Sequence, residues 1–130
     1  MIDIIFKILI SILLGVLIGL ERESSGKAVG TRTVSLIILG SALFSYMSIN
    51  LPGCDSARII AQIVCGVGFL GAGVLVKNGN KISGLTTAAT IWASASIGCL
   101  VGISWYKEAI IATISVCIIN LLFSYLKFKL

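Results

Sequence analysis

Five apolar stretches, each close to the length of a bilayer crossing, fill most of this 130-residue chain: residues 4–20, 34–51, 59–76, 85–106 and 109–126. At a helical rise of about 1.5 Å per residue, 18 residues reach about 27 Å, enough for a hydrocarbon core of about 30 Å with little tilt. None alternates with period two, and each far exceeds a barrel strand in length, so helices are expected. Composition agrees, with 58% of residues apolar, 12% charged and a mean hydropathy of +1.11. Soluble domains carry roughly 25% charged residues. Such a short chain could not keep this apolar surface out of water. Disorder and nucleic-acid binding are excluded as the main reading, because the few charges cluster between long apolar runs. The expectation is an all-α polytopic membrane protein of five transmembrane helices, one domain over residues 1–130, with the lipid bilayer as its first partner.

Short loops let basic residues set orientation. Arg22, Lys27 and Arg32 follow the first run, Lys77 and Lys81 the third, and Lys127 and Lys129 the fifth, against Lys7, Arg58 and Lys107 on the other side. Seven against three places the N-terminus outside and the C-terminus in the cytoplasm. The first run is followed by Glu21, Arg22 and Glu23 with no small-residue cleavage site, so it is expected to stay as a span. The chain stops at Leu130, almost directly after the last run, and no C-terminal soluble domain is expected.

The third run holds Gly66, Gly68, Gly71 and Gly73. In lipid, such residues let two backbones approach closely. The fourth run repeats small residues every four positions, at Thr86, Thr90, Ser94, Gly98 and Gly102, which forms a narrow stripe on one helical face. These faces are expected to pack together, the commoner use of small residues. The alternative is a third helix broken at its glycines to line a substrate path. The string GVGFLG within the third run lacks the strand and water that a dinucleotide site needs.

Lys27-x-x-Gly30-x-x-Thr33 and Lys81-x-x-Gly84-x-x-Thr87 repeat at an offset of 54 residues, each just before a span. Thr33 and Thr86 or Thr87 are therefore expected to cap helix starts. A repeat built on three matched positions would relate two parallel hairpins about an axis along the membrane normal.

Chemistry is sparse. The chain has no His, hence no imidazole base or ligand, and its four cysteines show no CxxC spacing. No catalytic residue is expected, and no cofactor. Glu21 and Glu23 on one side and Asp55 on the other are the best carboxylates for attracting Mg²⁺ as ligand or transported ion, since its ligands are oxygens. They can equally form interfacial ion pairs, Asp55 with Arg58 and the glutamates with Arg22, Lys27 or Arg32. Lys27, Arg32 and Lys81 beside helix starts would attract lipid phosphates. Gln62 and Asn120 are the polar amides within spans, and Asn120 is expected to fix packing by an interhelical hydrogen bond.

Three stretches, GLERESSGKAVGTRT (19–33), DSARIIAQIVCGVGFLGAG (55–73) and GLTTAATIWASASIG (84–98), resemble the MgtC/SapB family of bacterial inner-membrane proteins. The resemblance implies a five-span domain associated with growth at low Mg²⁺. It implies a role either as a magnesium transporter component or as a non-transporting regulator of membrane partners such as the ATP synthase. Carried over by position, its motif residues are Glu21, Arg22, Glu23, Gly26, Lys27, Gly30, Arg32 and Thr33 in the first stretch. The second holds Asp55, Arg58, Gln62, Gly66, Gly68, Gly71 and Gly73, and the third Gly84, Thr86, Thr87 and Trp92. Many members carry a further cytoplasmic domain after the last span.

The reading is a non-enzymatic inner-membrane protein of magnesium or ion homeostasis, a homo-oligomer with a dimer favoured. Transport requires a water-accessible path along Gln62, the third-run glycines and the Thr/Ser stripe of the fourth. Regulation through a membrane-protein partner requires those faces sealed by packing.

Overall fold

Lipid offers backbone N–H and C=O groups no partner, so apolar runs satisfy them internally as helices. The computed structural model describes residues 1–129, with side chains to residue 126, and contains five helices. These are α1 (Ile2–Ser24), α2 (Thr31–Asn50), α3 (Ser56–Ala72), α4 (Leu85–Gly102) and α5 (Tyr106–Lys129). Four are long and apolar enough to cross a membrane, while α3, at 17 residues, is a shorter apolar helix. The side chains of Lys127 and Lys129, counted above for orientation, lie outside the described residues.

Two helix ends fall earlier than hydropathy implied. The third run stays apolar to Val76, but α3 stops at Ala72, where Val74 N–H and Leu75 N–H bond three residues back to the Gly71 and Ala72 carbonyls. The chain then forms a hairpin, β1 (Val76–Asn78) against β2 (Lys81–Ser83), antiparallel with Val76 opposite Ser83. Gly79 takes φ +58° at the first position of its two-residue turn, a backbone that favours glycine. This hairpin is fully exposed and is a short addition to an otherwise all-helical fold.

The fourth run was expected to reach Tyr106, but α4 ends at Gly102. Trp105 N–H returns to the Leu100 carbonyl at 2.8 Å and Ser104 N–H to Val101 at 3.0 Å, a Schellman closure with Ser104 at φ +67°. The α1 end closes in the same way with Gly26 at φ +64°, through Lys27 N–H to Arg22 and Gly26 N–H to Glu23.

The helix starts correct the threonine caps. Gly30 and Gly84 are the N-cap residues of α2 and α4, so Thr33, Thr86 and Thr87 already lie inside the first turns. Both copies of the Lys-x-x-Gly-x-x-Thr pattern thus put glycine at the same place. Their backbones nevertheless differ: Gly30 is extended at φ −118°, whereas Gly84 is left-handed at φ +89° and follows a strand.

Packing centres on α2 and α4, with α1 against α2, α3 against α4 and α2, and α5 against α4 and α1. Ile18, Val34, Ile38, Ile91, Ile97 and Val101 are fully buried between them. The close seams belong to α2. A Cβ added at Gly15 or Gly19 of α1 would strike the α2 backbone at Ser35 or Thr31. One at Gly98 or Gly102 of α4 would strike the Ile38 or Ala42 carbonyl.

The expected α3–α4 glycine seam is correspondingly weaker. Gly71 meets Ala88 at ordinary distance, 3.5 Å, and nothing lies within 4 Å of a Cβ placed at Gly66 or Gly68. Close approach needs slim side chains on both helices, and α2 supplies Ser41, Ala42 and Ser45 opposite the α4 glycines. Leu9, Leu13 and Leu17 of α1 and Ile111, Ile118 and Leu122 of α5 stay exposed, as lipid-facing rows do.

Candidate functional site

At the C-terminal end of α1, Glu21 and Arg22 form a buried ion pair. Arg22 Nε donates to Glu21 Oε2 and Arg22 Nη2 to Oε1, each at 2.6 Å, with side chains 1% and 6% exposed respectively. Ser25 Oγ donates to the same Oε1 at 3.0 Å. Two parallel charge-assisted bonds hold the guanidinium in one plane, and a cation suits the negative end of the helix. Glu23, two residues on, points elsewhere, as helical spacing demands. Its Oε1 accepts from Thr31 N–H and Thr31 Oγ, both at 2.8 Å, and so supplies the cap that Gly30 lacks.

Arg22, Lys27, Thr86 and Asn120 surround a cavity of about 670 Å³ between the α1 end, the α4 start and α5. Asn120 is buried, and the Thr90 hydroxyl is shared between the Thr86 carbonyl at 2.9 Å and Asn120 Oδ1 at 3.4 Å. The expected interhelical bond of Asn120 is therefore present, joining α5 to α4.

Asp55 and Arg58 sit at the opposite end. Asp55 Oδ1 caps α3 by accepting from Ala57 N–H at 3.1 Å and Arg58 N–H at 3.3 Å. Its Oδ2 lies 3.8 Å from Arg58 Nε, an exposed pair of the expected i,i+3 kind. Gln62 stands apart from both ends, in an apolar groove of about 650 Å³ between α2 and α3. Gly40 and Gly66 line this groove, and Arg32 and Thr33 border it. The candidate ion residues are thus divided between two ends and a groove. Among the described residues, no three His, Cys, Asp or Glu side chains gather to hold a metal ion.

The α4 stripe is largely closed. Thr87, Thr90 and Ser94 are buried, and the Ser94 hydroxyl bonds back to the Thr90 carbonyl at 2.7 Å, leaving only Thr86 exposed.

One polar cluster escaped sequence reasoning. Lys7, counted above only as a basic residue of the N-terminal side, is 2% exposed. Its ammonium donates to Ser104 Oγ and, at 2.9 Å, to Tyr106 Oη, and lies 3.5 Å from Asp3. It also sits 5.1 Å from the Tyr106 ring centroid. A lysine four residues after an aspartate, inside an apolar run, was the available signal. Its partners, nearly a hundred residues away, left no trace in the local pattern.

Comparison with known proteins finds matches over most of the chain. The family model described as MgtC family matches residues 8–128. Protein MgtC of Salmonella typhimurium (strain LT2) is 45% identical over 118 residues, covering 91% of this chain and 51% of that protein. Protein MgtC of Brucella abortus (strain 2308) is 44% identical over 111 residues, 85% of this chain and 47% of that protein. The chain spans about half the length of the curated relatives it matches. No solved structure matches it. With a matched helical core that runs from Lys7's neighbour Ile8 almost to the end of α5, the chain belongs to the MgtC family.

Proposed function

We propose that the chain is a multi-pass protein of the bacterial cytoplasmic membrane that serves magnesium homeostasis by contact with other membrane-embedded chains, without itself conducting Mg²⁺. One observation carries the reading. The small-residue face of α4 that a path would use is occupied by α2, with Gly98 and Gly102 pressed onto its carbonyls and Ser94 fully buried. The carboxylates are also engaged: Glu21 by Arg22, Glu23 by Thr31, and Asp55 by the first turn of α3. A complex such as the ATP synthase, or a second copy of this chain, is the kind of partner this role requires.

Five crossings with the N-terminus outside fit the contacts. Lys7 joins the α1 start to Ser104 and Tyr106 at one end, while Arg22 and Thr86 share a cavity at the other. With α2 and α4 both starting at that second end, a crossing by α3 fits the return of the chain between them. The basic residues Arg22, Lys27 and Arg32 then face the cytoplasm, as positive charge in short loops favours.

Transport keeps one observation on its side, the groove that holds Gln62 beside the open glycines Gly40 and Gly66. A second copy laid along it would turn a lipid-facing groove into an enclosed channel. Mg²⁺ uptake into proteoliposomes decides between the readings. The expected result is uptake no faster than in empty liposomes. Protein-dependent uptake that Asp55→Asn or Gln62→Leu abolishes, with the folded protein retained, would establish transport instead.

A further inference from the structure

We propose that the cavity between the α1 end, the α4 start and α5 binds a phosphate group, carried by a lipid headgroup or free in solution. Two buried donors there have no hydrogen-bond partner among the described residues: Arg22 Nη1, on a side chain 1% exposed, and Asn120 Nδ2, on a residue 6% exposed. Each such orphan is a desolvated donor left uncompensated unless something in the cavity accepts from it. Both residues line the same space of about 670 Å³.

The charge around this space selects an anion. Both Glu21 oxygens are occupied, by Arg22 and Ser25, and Glu21 does not line the cavity. Lys27 does line it, and forms no ion pair among the described residues. Thr86, in the first turn of α4, lines the same space, and this helix start has Gly84 as N-cap with no side-chain acceptor at its positive end. Arginine, lysine, an amide N–H and a helix start form a set of donors, which a phosphate's oxygens match and a divalent cation does not. Ile119 and Phe123 of α5 form an apolar wall at the cavity, suited to the glycerol and first methylenes of a phospholipid.

The test uses the full chain purified in neutral detergent, in two arms. Inorganic phosphate is titrated and followed by calorimetry, and retained phosphatidylglycerol is weighed against phosphatidylcholine by native mass spectrometry. Binding of one phosphate-bearing group per chain is expected in at least one arm, and the arm identifies its source. Lys27→Gln, on an exposed residue that the fold does not need, weakens it about tenfold, as loss of one charged hydrogen bond does. Asn120→Asp, similar in shape but anionic, abolishes it, while Lys77→Gln on the distant hairpin leaves it unchanged. Absence of binding in both arms overturns the proposal. So does binding that the folded Lys27→Gln protein retains in full, whatever the fate of the Asn120 variant.

Discussion

The Glu23 carboxylate reaches across the first interhelical turn to accept from both the backbone N–H and the hydroxyl of Thr31. It thereby caps α2 from another helix, because Gly30 has no side chain to do so, and a Cβ at Gly30 would collide with Glu23 itself. Glycine at the cap and glutamate seven residues earlier are one device. Glu23→Gln keeps an acceptor and loses the favourable charge at the helix start, so it should fray α2 less than Glu23→Ala. Hydrogen exchange at the amides of Thr31, Arg32 and Thr33 measures this, with the order wild type, Gln, Ala from slowest to fastest. Equal rates in all three would show that the cap contributes nothing.

The glycines divide into two classes with opposite responses to alanine. At Gly98, a Cβ would collide with the Ile38 carbonyl, so Gly98→Ala should destabilise by about 1–3 kcal/mol as α2 and α4 are pushed apart. At Gly66 and Gly68 nothing lies within 4 Å, and alanine should stabilise the isolated chain by up to about 1 kcal/mol each through helix propensity. Thermal unfolding in detergent separates the two. Should Gly66→Ala instead disrupt a purified dimer, the open face of α3 would be the surface through which copies associate.

Such a division was invisible in the sequence. Five apolar runs sufficed to anticipate five helices, because a bilayer tolerates little else and the run lengths report it directly. The helix ends were less legible: hydropathy continues past Ala72 and Gly102, and the chain turns there because of local backbone closures around Gly73 and Ser104. The Gly79-Asn80 dipeptide was the readable sign of the hairpin turn, outweighed by the apolar run before it. The small-residue stripe of α4 was legible, but not that its closest approach, at Gly98 and Gly102, is to α2. The third run is richest in glycine, whereas α2 presents Ser41, Ala42 and Ser45 at the matching register. At the candidate site, the glutamates' divergence followed from helical spacing, and so did the Asp55–Arg58 pair. Burial of Arg22 and Lys7 did not, because both depend on α4 and α5, more than sixty residues further along.

Glu21 and Arg22 should be far more sensitive to single than to paired replacement. Removing one member of a buried ion pair leaves an uncompensated charge, at a cost of about 3–5 kcal/mol. Glu21→Gln strands the Arg22 guanidinium and should lower the melting temperature sharply. The double change of Glu21→Gln with Arg22→Leu removes both charges and should recover most of the loss. A double variant no more stable than the worse single one would mean that Arg22 is held by something other than Glu21.

Labelling of lysines with a membrane-impermeant amine reagent tests the disposition of the helices in intact cells. Lys107, exposed near the start of α5, should react from outside, whereas Lys27, Lys77 and Lys81 should react only after permeabilisation. Lys7 provides an internal control: it lies at the same end of the bundle as Lys107 but is 2% exposed, bonded to Ser104 and Tyr106, and should resist until the protein is unfolded. Tyr106→Phe removes one of its acceptors and should raise that reactivity without moving any other lysine. Modification of Lys27 and Lys81 from opposite faces would remove the return of the chain through α3, and with it the five-crossing arrangement.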